Sequence, residues 1–228
     1  LSYAGEPHGR EGQAIEWVSL THASAREFLA ATQPIFRALT LPHRILITDV
    51  KRFGVRHICD RVKVEVDRCA TAIVQIREPW MSADERSLFA SQLIGLTRES
   101  GIDIVLNEAI ALEPMPGITG VHLSAKNALL AVKQGHIKPS DMLLGCSCHN
   151  ATEVSVAQAL GADYLTVGSV ASTPSHPDGR TLGFAGFTEL SLMASLPTYA
   201  VGGMTESQVD DIRQAGGQGV AMISAAWL

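Results

Sequence analysis

Tyr199-Ala200-Val201-Gly202-Gly203-Met204-Thr205, followed by Gly219-Val220-Ala221-Met222-Ile223-Ser224-Ala225-Ala226, is the stretch on which the fold turns. Each piece reads as a short apolar strand that runs into Gly or Ser and then starts a helix, so backbone N–H groups without a helical partner point toward one anion. In a (β/α)8 barrel the loops after strands 7 and 8 lie side by side at the C-terminal face, and a spacing of about 20 residues fits two consecutive βα units there. Gly202-Gly203 alone also fits a plain strand-to-helix turn. With Ile223-Ser224 one unit later, the pattern points to a phosphate site built by Gly202, Gly203, Ile223 and Ser224.

From Arg44 onward, apolar runs alternate with helical patterns. The runs predict strands at Ile45 to Thr48, Ala72 to Ile76, Ile102 to Leu106, Gly120 to Leu123, Met142 to Cys146, Tyr164 to Val167, Thr198 to Val201 and Val220 to Ile223. Eight units in about 185 residues is what a TIM barrel needs. Helices are expected at about Val55 to Cys69, Ser82 to Ser100, Lys126 to Lys133, Ala151 to Leu160, Phe187 to Ala194 and Glu206 to Ala215. Leu160-Gly161 and Ala215-Gly216 read as helix C-caps. The last unit stops at Trp227-Leu228, so the eighth helix is only begun and reads as truncated.

At 228 residues and 46% hydrophobic the chain can bury one sizeable core. A net charge of −5 with no extended Lys/Arg run excludes a nucleic-acid or membrane-surface partner, although local backbone dipoles can still bind a small anion. Four cysteines at irregular spacing, with Cys146-x-Cys148 lacking a second pair, fit neither a disulfide framework nor a zinc site. No apolar run reaches membrane-spanning length and no signal-peptide pattern opens the chain, so a cytoplasmic protein is expected. Leu rather than Met at position 1 suggests a segment of something longer.

Residues 1–43 form a separate segment preceding a barrel over 44–228. They carry a short apolar run, Ile15-Glu16-Trp17-Val18, read as a strand, and a helical pattern from about Ser24 to Leu39 broken by Pro34. One strand and one helix cannot close a core. The run Glu6-Pro7-His8-Gly9-Arg10-Glu11-Gly12-Gln13, followed by the Trp17 strand, resembles the C-terminal end of MutT-type Nudix hydrolases. The Glu-rich metal helix of that family is absent, so the resemblance implies an upstream hydrolase half in the native chain and assigns no hydrolysis to these residues.

Polar residues at the C-terminal ends of strands are where such a barrel places its site. On strand 2, Gln75 and Arg77 share one face and offer an amide and a guanidinium to an oxyanion; a structural pairing of Arg77 with an acidic neighbour fits as well. Strand 3 ends in Asn107-Glu108, strand 4 in His122, and strand 5 in Cys146-Ser147-Cys148-His149. Cys146 and Cys148 alternate with Ser147 and read as small hydrophobes facing the barrel wall, and His122 as a packed, hydrogen-bonded core residue. The polar loop from Ser169 to Gly183 is long enough for a lid, and surface disorder fits it equally.

Taken in order, Ile-Thr-Asp (47–49), Gln-Ile-Arg-Glu (75–78), Leu-Asn-Glu (106–108), Gly-Val-His-Leu (120–123), Gly-Cys-Ser-Cys-His (145–149), Gly-Ser-Val-x-Ser-Thr-Pro (168–174), Gly-Gly-Met-Thr (202–205) and Gly-Val-Ala-Met-Ile-Ser (219–224) resemble thiamine phosphate synthases and the TenI-type thiazole tautomerases. The resemblance implies that Gly203, Ile223 and Ser224 hold a thiazole phosphate through backbone N–H groups. It implies further that Gln75, Arg77, Asn107 and Ser147 contact the pyrophosphate or pyrimidine of the second substrate, and that Thr173 belongs to the substrate- and phosphate-binding set. In synthases a pyrimidine-methyl pyrophosphate ionises and the thiazole nitrogen captures the cation, while Mg2+ and basic residues stabilise the departing pyrophosphate. The metal aspartates of that family fall at Glu108 and at the neutral Asn127, and its two lysines at Pro79 and His176. Losing fixed charges at one site argues against efficient synthase chemistry. A tautomerase needs only a phosphate anchor and a proton shuttle, and His149 stands where the TenI type places its histidine; a helix cap fits His149 equally. The implied partners are small phosphorylated thiazoles or pyrimidines, with room for a homo-oligomer. A noncatalytic regulatory barrel attached to the hydrolase is the alternative reading.

Overall fold

Strands buried on both faces read as near-continuous apolar runs, and each of the eight runs forms a strand. In order these are β1 (Arg44–Ile47), β2 (Ala72–Ile76), β3 (Ile102–Asn107), β4 (Gly120–Leu123), β5 (Leu143–Cys148), β6 (Tyr164–Gly168), β7 (Thr198–Val201) and β8 (Gly219–Met222). Every neighbouring pair is parallel, and β8 returns to pair with β1, so the sheet closes into a barrel. The structure, a computed structural model, describes residues 4–24, 32–107, 116–136, 138, 142–172 and 181–228. β5 runs two residues past its expected end, because Ser147 and Cys148 pair with Thr166 and Val167.

Alternation along each strand sorts the side chains. Ile45, Ile47, Ile73, Val105, Tyr164, Tyr199 and Ala221 fill the interior with Leu41. Their neighbours, including Val74, Ile104, Cys146, Cys148 and Leu165, join a second cluster with Ile58, Val62, Phe89, Phe187 and Ile212 of the helices. Those helices are α4 (Val55–Asp67), α5 (Ala83–Thr97), α6 (Ala125–Lys133), α7 (Ala151–Ala159), α8 (Gly183–Met193) and α9 (Val209–Gln214), with a short α3 (Val50–Phe53) ahead of α4. Side chains of Ser82, Ser124 and Asn150 cap α5, α6 and α7 by accepting from backbone amides three residues on. After β8 the chain makes one 3-10 turn, Ser224–Ala226. Trp227 is buried there, its indole donating to the Ile47 carbonyl at 2.8 Å.

The chain divides into two compact units, Leu1–Thr40 and Leu41–Leu228. The second begins three residues before the boundary that the sequence suggests, and hydrogen bonds explain why. The Tyr199 hydroxyl donates to the Pro42 carbonyl (2.6 Å), Gln218 Nε2 to the Leu41 carbonyl (2.8 Å) and the Val220 amide to the His43 carbonyl (3.0 Å). Residues 41–43 are thus fastened to the N-terminal ends of β7 and β8. In the first unit, α1 (Leu20–Ser24) and α2 (Gln33–Thr40) are helical, Pro34 lies in the first turn of α2, where proline is tolerated, and residues 25–31 of the expected helical pattern lie outside the described residues. Ile15 to Val18 is irregular, not a strand. Apolar alternation alone does not make a strand, and here Ile15, Trp17 and Val18 stay exposed. No helix among the described residues is long and apolar enough to cross a membrane.

Candidate active site

Where the strands end, the side chains directed to the interior change from apolar to polar. Gln75 Nε2 donates to Asn107 Oδ1 at 2.7 Å, joining the ends of β2 and β3. Gln75 Oε1 is buried with no hydrogen-bond partner among the described residues, so an acceptor stands ready for a ligand N–H. The Arg77 amide donates to Thr48 Oγ1, and its side chain is exposed with no ion pair among the described residues. The carboxylate next to it, Glu78, is committed elsewhere, to the Val50 amide and the Trp80 indole, both at 2.9 Å. Among the described residues the structural pairing of Arg77 is therefore not formed.

His122 is buried in the middle of the polar layer. Its Nε2 lies 2.9 Å from Ser147 Oγ and 3.3 Å from Thr166 Oγ1, and its Nδ1 lies 3.3 Å from the Tyr164 hydroxyl. Burial, and then the Arg77 charge, push its pKa down from 6.5 to about 3, so the ring is neutral. Below about pH 6.5 the unfolded chain takes up a proton here that the folded chain refuses, so stability falls as the pH is lowered from 6.5 toward 3. Urea midpoints across that range should slope less steeply for His122→Asn than for the native protein; equal slopes would rule the histidine out as the source. Ser147 thus joins a hydrogen-bonded row. Thr166, which the sequence reading missed, belongs to that row and was visible only through the two-residue period of β6.

Cys146 and Cys148 are buried against the helix layer, and burial raises both thiols to about 12, which keeps them protonated and unreactive. At the end of β5, His149 exposes its ring. Its Nδ1 lies 2.8 Å from Glu153 Oε2, and its own amide donates to the same oxygen at 2.7 Å. Asn150 is the residue whose side chain caps α7, accepting from the Glu153 amide at 3.0 Å. The imidazole is therefore left as a ring oriented by a carboxylate, with Nε2 available. Glu153 was missed, although Asn150-x-x-Glu153 is a readable capping-box spacing.

The two Gly/Ser turns leave adjacent strands at one level, since Val201 pairs with Ala221. Gly202 and Gly203 both have positive φ, +99° and +68°, and a Cβ at Gly202 would lie 2.1 Å from Ser169 Oγ, so the turn requires glycine. The amides of Val170 and Ala171 donate to the carbonyls of Val201 and Gly202, tying the loop after β6 to this turn. Neither the Gly203 nor the Ser224 amide has a hydrogen-bond partner among the described residues. Beside them, and unforeseen, Arg52 Nη1 donates to Ser224 Oγ at 2.6 Å.

Thr173, Glu108 and His176 lie outside the described residues. Asn127 stands half-buried in the first turn of α6, its amide donating to Ser124 Oγ at 3.2 Å. Among the described residues no three His, Cys, Asp or Glu side chains gather into a group able to hold a metal, and Asn127 brings only a neutral oxygen. Of the two positions where the resemblance places the metal ligands, Asn127 alone is described, and its amide is a weaker Mg2+ ligand than a carboxylate.

Residues 45–226 match the family described as "Thiamine monophosphate synthase". The thiamine-phosphate synthase of Chloroflexus aurantiacus is 32% identical over 154 residues, covering 67% of this chain and 70% of that protein. That of Azorhizobium caulinodans is 29% identical over 181 residues, covering 79% and 84%. A solved structure, the thiamine phosphate pyrophosphorylase from Pyrococcus furiosus, superposes with a TM-score of 0.65 at 24% identity over 82% of this chain and 88% of that one, a likeness of fold. The chain belongs to the thiamine monophosphate synthase family.

Proposed function

We propose that this barrel binds a thiazole phosphate of thiamine biosynthesis and that its own chemistry is proton transfer on the thiazole ring. In this reading the amides of Gly203 and Ser224, with Gly202 and Ile223 shaping the turns, hold the phosphate. Gln75, Arg77 and Asn107 hold a second anionic or amide-bearing group, Arg77 by charge and Gln75 through its open acceptor. The observation that carries the reading is the pairing of His149 with Glu153. A carboxylate accepting from Nδ1–H fixes the tautomer, so Nε2 can remove a proton from one ring position. Glu153 stabilises the resulting imidazolium, which returns the proton at another position, and nothing else is consumed.

Displacing a pyrophosphate asks more of the site, because negative charge grows on the leaving group and must be met by cations. Pro79 and Asn127 stand where the family resemblance implies a lysine and a metal aspartate, which favours proton transfer over the synthase reaction. The same two residues also favour a second reading, a regulatory barrel attached to a MutT-type hydrolase half that residues 1–43 would complete.

Two assays on the native protein separate these. Thiazole tautomer exchange followed by NMR in D2O should proceed at an enzymatic rate, while a coupled assay for thiamine phosphate with Mg2+ should stay at background. Thiamine phosphate formation at an ordinary turnover rate would sink the proposal. Binding of thiazole phosphate without either activity would establish the regulatory reading instead.

A further inference from the structure

The seat of Arg52 is built from two directions. Its helix α3 starts at Asp49, whose side chain accepts the Arg52 amide at 3.3 Å. Its guanidinium lies over the Phe53 ring, 4.9 Å from the centroid, and Phe53 in turn stacks on His57 at 5.9 Å. His57 Nε2 donates to the Trp227 carbonyl at 2.6 Å, so the elements that follow β1 and β8 brace each other on both sides of Ser224. Against this support, Arg52 Nη1 reaches Ser224 Oγ at 2.6 Å. A guanidinium carries five N–H donors. Here one goes to a neutral hydroxyl, and no carboxylate pairs with the group among the described residues. A fixed cation on an uncharged partner, next to an unpaired main-chain amide, is an arrangement that an anion would complete.

We propose that Arg52 is the side-chain cation of the phosphate cradle: its guanidinium, together with the Ser224 hydroxyl and amide, clasps the phosphoryl group of the ligand. The inference rests on the thiazole-phosphate reading above and deepens it, by making the site select the phosphate ester over the free alcohol. Ser224 Oγ accepts from Arg52 and so turns its own proton toward the anion. Arg52 also supplies positive charge at the phosphate end of the site, whereas Pro79 removes it at the other end. The site therefore favours a ligand that keeps its phosphate.

Calorimetric titrations of the full chain with inorganic phosphate, thiazole phosphate and the unphosphorylated thiazole alcohol test this in the native protein and in Arg52→Gln, Arg52→Lys and Arg56→Gln. Arg56 is an exposed arginine four residues on, paired among the described residues with Asp60. Arg52→Gln should weaken thiazole phosphate about 10- to 100-fold, the loss of a charge-assisted hydrogen bond, and should flatten the salt dependence of binding. It should leave the alcohol and the melting temperature unchanged. Arg52→Lys should recover part of the loss, and Arg56→Gln should match the native protein. Equal loss for ester and alcohol, or no loss for the ester, overturns the role of Arg52 while leaving the cradle in place. A native protein that binds alcohol and ester alike overturns the cradle itself, and Arg52's role with it.

Discussion

Replacing His149 with alanine is expected to lower thiazole proton exchange by about 10²- to 10⁴-fold, the range over which a positioned acid-base group contributes to a rate. The variant should bind thiazole phosphate as the native protein does, because His149 is on β5 and α7's side of the barrel and the cradle is on β7 and β8. The ring is exposed and its removal leaves no buried polar group unpaired, so the melting temperature should hold. Glu153→Gln keeps a hydrogen-bond acceptor near Nδ1 but removes the charge that stabilises the imidazolium, and should fall between the two. Native exchange rates in His149→Ala would exclude the imidazole from the chemistry.

The largest loss of stability is expected at Gly219→Ala, although the change adds one methyl group far from the candidate site. An alanine Cβ there would lie 1.9 Å from the His43 carbonyl oxygen and 2.6 Å from its carbon, and backbone cannot turn aside as a side chain can. Relief requires moving residues 41–43 off β8, which breaks the 3.0 Å bond from Val220 to His43 and the 2.9 Å contact of His43 Nδ1 with the Gln218 carbonyl. Overpacking of this kind costs about 1–3 kcal/mol and more where the backbone is trapped, so about 3 kcal/mol or a failure to fold is expected from urea midpoints. Gly95→Ala is the matched control. It lies within α5 with nothing within 4 Å of the added Cβ, and should be neutral or stabilising by up to about 1 kcal/mol. Equal midpoints for the two variants would show that the seam at His43 yields freely.

The strands were legible because a parallel barrel buries both faces of each, leaving short apolar runs bounded by Gly, Asn and Ser. Ile15 to Val18 misled because a short apolar run reads the same whether or not it is buried: Ile15, Trp17 and Val18 are exposed and the segment is irregular. Gln75, Asn107 and Ser147 were readable as the polar residues that close apolar runs. Thr166 was hidden inside one, since Tyr-Leu-Thr-Val looks uniformly apolar until its period is counted. Arg52 gave no local signal at all. It sits on a four-residue helix, and its partner Ser224 is 172 positions away, so only the closed ring brings them together.

That closure also orders events in time. β1 is bonded on one side to β2, which follows it within thirty residues, and on the other to β8, whose pairing runs from Arg44 with Val220 to Leu46 with Met222. A growing chain on the ribosome therefore carries β1 with one bare edge until residue 222 has emerged, and every half-made barrel is a sheet with two sticky margins. The nascent polypeptide, more than the finished molecule, is the species that chaperones must shield from its own copies.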